Sequence, residues 1–278
     1  MNQSKAIALC VCLGVISLPL RAGNILLTGH DDDFHATLGG DFVDANPQFL
    51  GGLAFVRNGS SLPVLSFDSG SELTSLLTTD GISFTNINPA TAGAVTAALF
   101  DPTKYSAFVV ASDSTCGGCD NNPAGEANIA AQLSAIEAFL NAGGRIFGLA
   151  GANSANYYAF VPQTASSVGG APSIGYMQTA LAVTLGIPAV NGDPTHNLFF
   201  NPGTNGESSA YHIVEFNQTT GNGVVPAPAA VTLACVGCTT SGGVIVTSAM
   251  PEPSSWIMIL TGLGALIAMR RRIFTHSR

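Results

Sequence analysis

Carboxylates and imidazoles crowd a short stretch near the start of this 278-residue chain: His30-Asp31-Asp32-Asp33-Phe34-His35. Carboxylate oxygens at that density suit calcium or magnesium, whereas two imidazoles with an aspartate suit zinc or manganese. Two more acids stand directly behind apolar runs, Asp68 after Leu62–Phe67 and Asp113 after Tyr105–Ser112. If those runs are strands of one open sheet, His30, Asp31, Asp33, His35, Asp68 and Asp113 share the rim at its carboxyl edge and form a candidate site for a divalent cation. The same residues also read as a solvated acidic loop in which Asp33 caps the following turn, since no recognised metal-binding spacing is matched. Asp193-Pro194-Thr195-His196-Asn197 is a second source of ligands or, more simply, a polar turn. Ser154 is a candidate nucleophile with His196 or His212 as its base, but nothing in the spacing requires them to meet, and a serine in such a loop is ordinarily a turn residue.

Placing these groups falls to apolar runs separated by turn residues. Asn24–Thr28, Leu62–Phe67, Ile82–Ile87, Tyr105–Ser112, Arg145–Leu149 and Tyr211–Phe216 read as strands. Most lack polar alternation, which means that both faces are covered, as in a parallel sheet between helices. Helical patterns fall between them over 46–57, 71–79, 90–100, 126–141 and 176–185. The clearest is 126–141, with Ile129, Leu133, Ile136 and Leu140 on one face and Gly143-Gly144 after its end. The order predicts an α/β domain over 23–216, a doubly wound, mostly parallel sheet sandwiched by helices. Residues 217–250, rich in Gly, Thr, Val, Pro and Ala, read as a linker with room for a short hairpin in Val231–Cys235 and Val244–Thr247.

Charge narrows the partners. Between residues 23 and 250 only Arg57, Lys104 and Arg145 are basic, against sixteen acids, a net of −13. Such a segment repels phosphate backbones, so nucleic acid is excluded as a partner, and cations or neutral glycans are favoured. Four cysteines lie in the same span, Cys116, Cys119, Cys235 and Cys238, in two CxxC pairs more than a hundred residues apart. That separation is far beyond a zinc-ribbon spacing. Outside the cytoplasm such thiols form two disulfides, either within each CxxC or crossing between them.

Both ends of the chain carry addresses. Lys5, the apolar stretch Ala6–Leu20 and the small residue Ala22 have the layout of a secretory signal peptide over 1–22. At the other end stand Pro251-Glu252-Pro253, then Trp256, an apolar run to Met269 and Arg270-Arg271-Arg272. The prolines break any preceding helix, the tryptophan suits a membrane interface, and the arginines hold the far end in the cytoplasm. The run from Trp256 to Met269 would span only ~21 Å at ~1.5 Å per residue, short of a ~30 Å hydrocarbon core, which suits a transient transmembrane helix. This tail, over 251–278, resembles the PEP-CTERM sorting signal of exported bacterial proteins. The resemblance implies processing by an exosortase-type enzyme after signal peptidase, a cell-surface or extracellular destination, and an association with exopolysaccharide.

The segment from Tyr105 to Asn153 runs strand, loop, long helix, Ala142-Gly143-Gly144, strand, then Gly148-Leu149-Ala150-Gly151-Ala152. It resembles the class I glutamine amidotransferase-like (flavodoxin-like) superfold, in which such a passage leads into a nucleophile elbow. Here Ala150 occupies the position of the nucleophilic cysteine, Ala152 replaces the closing glycine, and the family's His-x-Glu pair is missing. The resemblance therefore implies the fold without thiol amidotransfer. The leading expectation is an exported, non-catalytic binding or structural module. The alternative is a metal-dependent or carbohydrate-active hydrolase built on the His30–His35 loop.

Overall fold

A computed structural model describes residues 22–38, 40, 42–116, 120–152, 154, 156–169, 174–191, 196–218 and 229–239. Residues 1–21 of the expected signal peptide, the Pro-Glu-Pro tail with its apolar run and arginines, the expected hairpin segment Val244–Thr247, and Cys119 lie outside the described residues, as does the side chain of Cys116. No helix among the described residues is long and apolar enough to cross a membrane.

The first half of the chain builds a parallel block. Strands β1 (Gly23–Thr28), β2 (Val64–Phe67), β3 (Phe84–Ile87), β4 (Ala107–Val110) and β5 (Ile146–Gly148) lie in the order β3-β2-β4-β5-β1, every pair parallel. These are the apolar runs of the sequence, trimmed at their ends. Along them alternate residues enter opposite cores. Ile25, Leu27, Phe108 and Val110 point to one face, and Leu26, Ala107 and Val109 to the other. Helices α4 (Pro123–Ala130) and α5 (Leu133–Asn141) cover the first face. The second is covered by α2 (Phe42–Arg57), α3 (Glu72–Thr79) and α6 (Ala180–Leu185). A four-residue helix, α1 (Asp32–His35), follows β1. The expected α/β sandwich is present.

The second half differs from expectation. The sheet continues beyond β1 with β10 (Ala229–Cys238), antiparallel to it, and then with β8 (Asn197–Phe199) and β6 (Ser167–Gly169). Strand β9 (His212–Asn217) pairs with β10 and β7 (Tyr176–Gln178) with β9, both antiparallel, so the sheet is mixed. Residues 229–238, expected in a linker with a hairpin arm at Val231–Cys235, are thus its longest strand, and the seven positions from Ala229 to Cys235 are buried without interruption. A run of Ala, Val, Thr and Leu without alternation is what a strand covered on both faces looks like, and composition alone made it resemble a linker. The helix expected over 176–185 starts only at Ala180, where the Thr179 hydroxyl accepts from Ala182 N, and Tyr176–Gln178 is strand instead. The helix expected over 90–100 reduces to a 3-10 turn at Ala97–Leu99. The one expected over 126–141 is two helices that meet at Ala131-Gln132.

Cys235 and Cys238 form a disulfide within their own CxxC at the end of β10, one of the two pairings weighed from sequence. Closing so short a loop contributes only about 2 kcal/mol in the chain-entropy picture. The core does more. Phe108 sits at the centre of an aromatic cluster, its ring centroid 5.7 Å from Phe67, 5.4 Å from Phe100, 5.8 Å from Phe139 and 6.0 Å from Phe160. Phe108→Ala is expected to cost about 3–5 kcal/mol, read as a lowered midpoint in denaturant unfolding, because the surrounding rings cannot collapse into the cavity.

Candidate metal centre

The rim begins where β1 ends. Gly29 follows Thr28, and its carbonyl accepts from His196 N at 2.8 Å and from Asn197 N at 3.3 Å. A side chain cannot exist there, because a Cβ on Gly29 would lie 1.9 Å from the Asn197 carbonyl oxygen. This contact carries His196, more than 160 residues away in the chain, to the start of α1. There the Asp31 carbonyl accepts from Phe34 N and His35 N, which turns the chain into its single helical turn. That turn stacks His35 over Asp31 on one face, the i, i+4 relation of a helix.

Three donors converge. The Asp31 carboxylate lies 3.0 Å from His196 Nε2 through one oxygen and 3.5 Å from His35 Nε2 through the other. The two imidazoles stack with centroids 6.2 Å apart, and all three residues offer ligand atoms within 4.8 Å of one another. A tetrahedral zinc ion bound at about 2.0–2.1 Å has ligand-to-ligand edges of about 3.3–3.4 Å, so the three donors would draw in by up to about 1.5 Å around a single ion. Asp31 is fully buried and His35 nearly so, while the His196 side chain is 25% exposed. Burial pushes the Asp31 carboxyl up, opposed by the hydrogen bond and charge of His196 and by His35. A bound cation would favour the ionised carboxylate far more strongly than two imidazoles do.

Only Asp31 and His35 of the six residues expected to share a metal are in this cluster, and His196 completes it. His30 turns the other way. Its Nε2 pairs with Glu215 Oε2 at 2.9 Å, and its ring meets Tyr176 edge-on at 5.3 Å. Glu215 is otherwise held by Gln48 Nε2 at 2.7 Å, Thr232 Oγ1 at 3.1 Å and Val190 N at 2.9 Å, a buried carboxylate with four donors. Asp33 accepts from Ser112 N at 2.9 Å and Ser112 Oγ at 2.6 Å, which locks α1 onto the end of β4. Burial first of all raises its carboxyl to about 7. Asp68 accepts from Gly70 N at 2.7 Å and Thr74 N at 2.9 Å and shapes the entry to α3. Asp113 accepts from Thr115 N at 2.8 Å. These four carboxylates and imidazoles organise the rim, and they do so buried, not as a solvated loop.

His196 and Glu215 were the residues that sequence reasoning undervalued. The available signal was positional. His196 immediately precedes the apolar run Asn197–Phe199, just as His30 follows the first one, so both stand at strand ends. His212 lies exposed on β9, and the Ser154 hydroxyl donates to Glu126. The glycine-rich passage after β5 does make a sharp turn, but its left-handed residue is Ala152, at φ 43°, and not Ala150. Neither alanine offers a nucleophile.

Gly29→Ala is expected to separate the two backbones and abolish the Asp31–His196 approach while leaving the sheet intact. The readout is loss of stoichiometric metal uptake in a protein whose far-UV circular dichroism is unchanged. No family model matches the chain, nor does any curated protein or solved structure, so the site is read from its own geometry.

Proposed function

We propose that the chain is an exported α/β domain that holds a divalent transition metal on Asp31, His35 and His196 and uses it to hydrolyse an uncharged substrate outside the inner membrane. The observation that carries this reading is the convergence of one carboxylate and two imidazoles within 4.8 Å of one another, with one of the three partly exposed. Three protein ligands with an open fourth position are the composition of a catalytic zinc site, where a bound water ionises near pH ~7 and becomes a nucleophile. A closed structural ion would bury all its ligands, and the exposure of His196 favours the catalytic alternative over the non-catalytic module. Asp31 neutralises part of the ion's charge, His35 is fixed by its helical turn, and His196 is fixed by the Gly29 contact.

A cavity of ≈ 390 Å³ begins one residue beyond His35. Ala36, Thr37, Leu38 and Phe42 line it together with Ser71, Glu72, Ser75 and Thr79, and none of Asp31, His35 and His196 is in its wall. Hydroxyls and one carboxylate beside apolar side chains suit a neutral, hydroxyl-bearing molecule such as a glycan, as does the scarcity of basic side chains. The signal-peptide-like start and the PEP-CTERM-like tail supply the export route, with signal peptidase and an exosortase-type enzyme as processing partners.

Native mass spectrometry of the exported protein with equimolar zinc tests the reading. One ion per chain is expected, removable by chelator and lost in both Asp31→Ala and His196→Ala, with the Cys235–Cys238 bridge unaffected. A wild-type protein that takes no stoichiometric ion, or a His196→Ala variant that binds as the wild type does, refutes it.

A further inference from the structure

A second group of side chains sits at the same edge of the sheet and shares no residue with the metal ligands. Ser154, two residues past the left-handed Ala152, donates its hydroxyl to Glu126 Oε2 at 2.7 Å. Glu126 lies in the first turn of α4, whose N-terminus is capped by the Asn122 side chain accepting from Gly125 N at 2.9 Å. The Asp113 carboxyl behind β4 lies close enough to Glu126 to help raise its carboxyl, after burial. Asp113 Oδ1 is anchored by Thr115 N and by the Thr115 hydroxyl. The oxygens that no other donor reaches among the described residues are Asp113 Oδ2 and Glu126 Oε1, so one proton between them satisfies both.

Accessibility falls along this chain of contacts. Ser154 is half-buried, Glu126 is 3% exposed and Asp113 is not exposed at all. Burying two carboxyls against each other is costly. A turn serine needs no such support, since a backbone carbonyl would satisfy it. A reachable hydroxyl on a buried base, itself held by a third group, is the arrangement that activates a serine nucleophile.

We propose that Ser154, Glu126 and Asp113 form a serine–carboxyl catalytic triad that cleaves carboxylic esters independently of the metal. Ser154 Oγ bonds to the ester carbonyl carbon while its proton passes to Glu126 Oε2, and the proton held between Glu126 and Asp113 shifts toward Asp113. When the adduct collapses, the carbon–oxygen bond breaks and the alcohol leaves with the proton from Glu126. Water then attacks the acyl-serine, delivering one proton through Glu126, and the acid departs as Ser154 recovers its own. Asp113 acts through Glu126 as a positioning residue. The substrate class is an ester of a neutral alcohol, because the few basic side chains of this span offer little to an anion.

The closing experiment uses the full exported protein, a fluorophosphonate probe and peptide mass spectrometry, with excess chelator present. A single stoichiometric phosphonyl adduct on Ser154 is expected. It should be absent in Ser154→Ala and reduced at least tenfold in rate in Glu126→Gln. The glutamine variant tests the base without unfolding the protein. Burial and the neighbouring Asp113 hold the Glu126 carboxyl protonated up to about 8, so below that pH a neutral amide replaces a neutral group and the fold is kept, while labelling is compared above it, where wild-type Glu126 is the free base. The native pKa lies above the unfolded one, so wild-type stability falls as pH rises from about 4.5 toward about 8 and the variant should be spared that part of the fall. Asp113 and Ser154 face this carboxyl, and Tyr157 lies close enough to feel its charge. Absence of the adduct in folded wild-type protein overturns the proposal, as does undiminished labelling in folded Glu126→Gln. Labelling that requires metal overturns its independence from the Asp31 site.

Discussion

Two backbones touch at Gly29, and the functional rim is arranged around that touch. A parallel block alone presents its carboxyl edge as a row of separate loops. What draws those loops together is the backbone hydrogen bonding between the Gly29 carbonyl and the start of β8, possible only because no Cβ intervenes. Asp31 then faces His196 instead of solvent. The left-hand neighbours of the same turn, Asp33 and His30, are pulled into the sheet by Ser112 and Glu215. Consecutive residues in one acidic hexapeptide are thereby assigned to three different surroundings.

This division also corrects the electrostatic picture. Eight acids, Asp31, Asp32, Asp33, Asp68, Asp113, Glu126, Glu207 and Glu215, are buried. Several are raised above the ordinary carboxylate range by burial, with Asp33 and Glu207 brought to about 7 and Glu126 to about 8. The outer field is consequently weaker than the formal count of charges implies. The cost of burying these groups is met by specific donors such as the four on Glu215 and the paired bonds from Ser112 to Asp33.

The parallel half of the fold was legible because its signals are local. Each of β1 to β5 is an apolar run between turn residues, and the rim acids follow from where those runs end. The antiparallel half was not. Strand β10 owes its place to pairing with β1, from Gly23 opposite Cys238 to Thr28 opposite Thr232, and nothing near residue 229 announces a partner two hundred residues away. The same distance hid the convergence of Asp31, His35 and His196. The i, i+4 pair of Asp31 and His35 could be read from spacing, while His196 enters only through tertiary contact. Glu126 was visible merely as the start of a helical pattern, and its meeting with Ser154 depends on the turn at Ala152 that brings the segment after β5 back toward α4.

The position of β10 has a consequence for how the molecule matures. It is the last described strand to be made, yet it stands between β1 and β8 in the middle of the sheet. A chain emerging from its N-terminus can assemble the parallel block early, with one long edge of β1 left unpaired. Non-local pairing of this kind closes late. Until residues 229–238 arrive, β8 has no seat beside β1 and the cluster at Asp31 lacks its histidine. Assembly of the Asp31–His35–His196 cluster therefore waits on residues 229–238, and a product that stops short of β10 keeps Asp31 and His35 without their third partner.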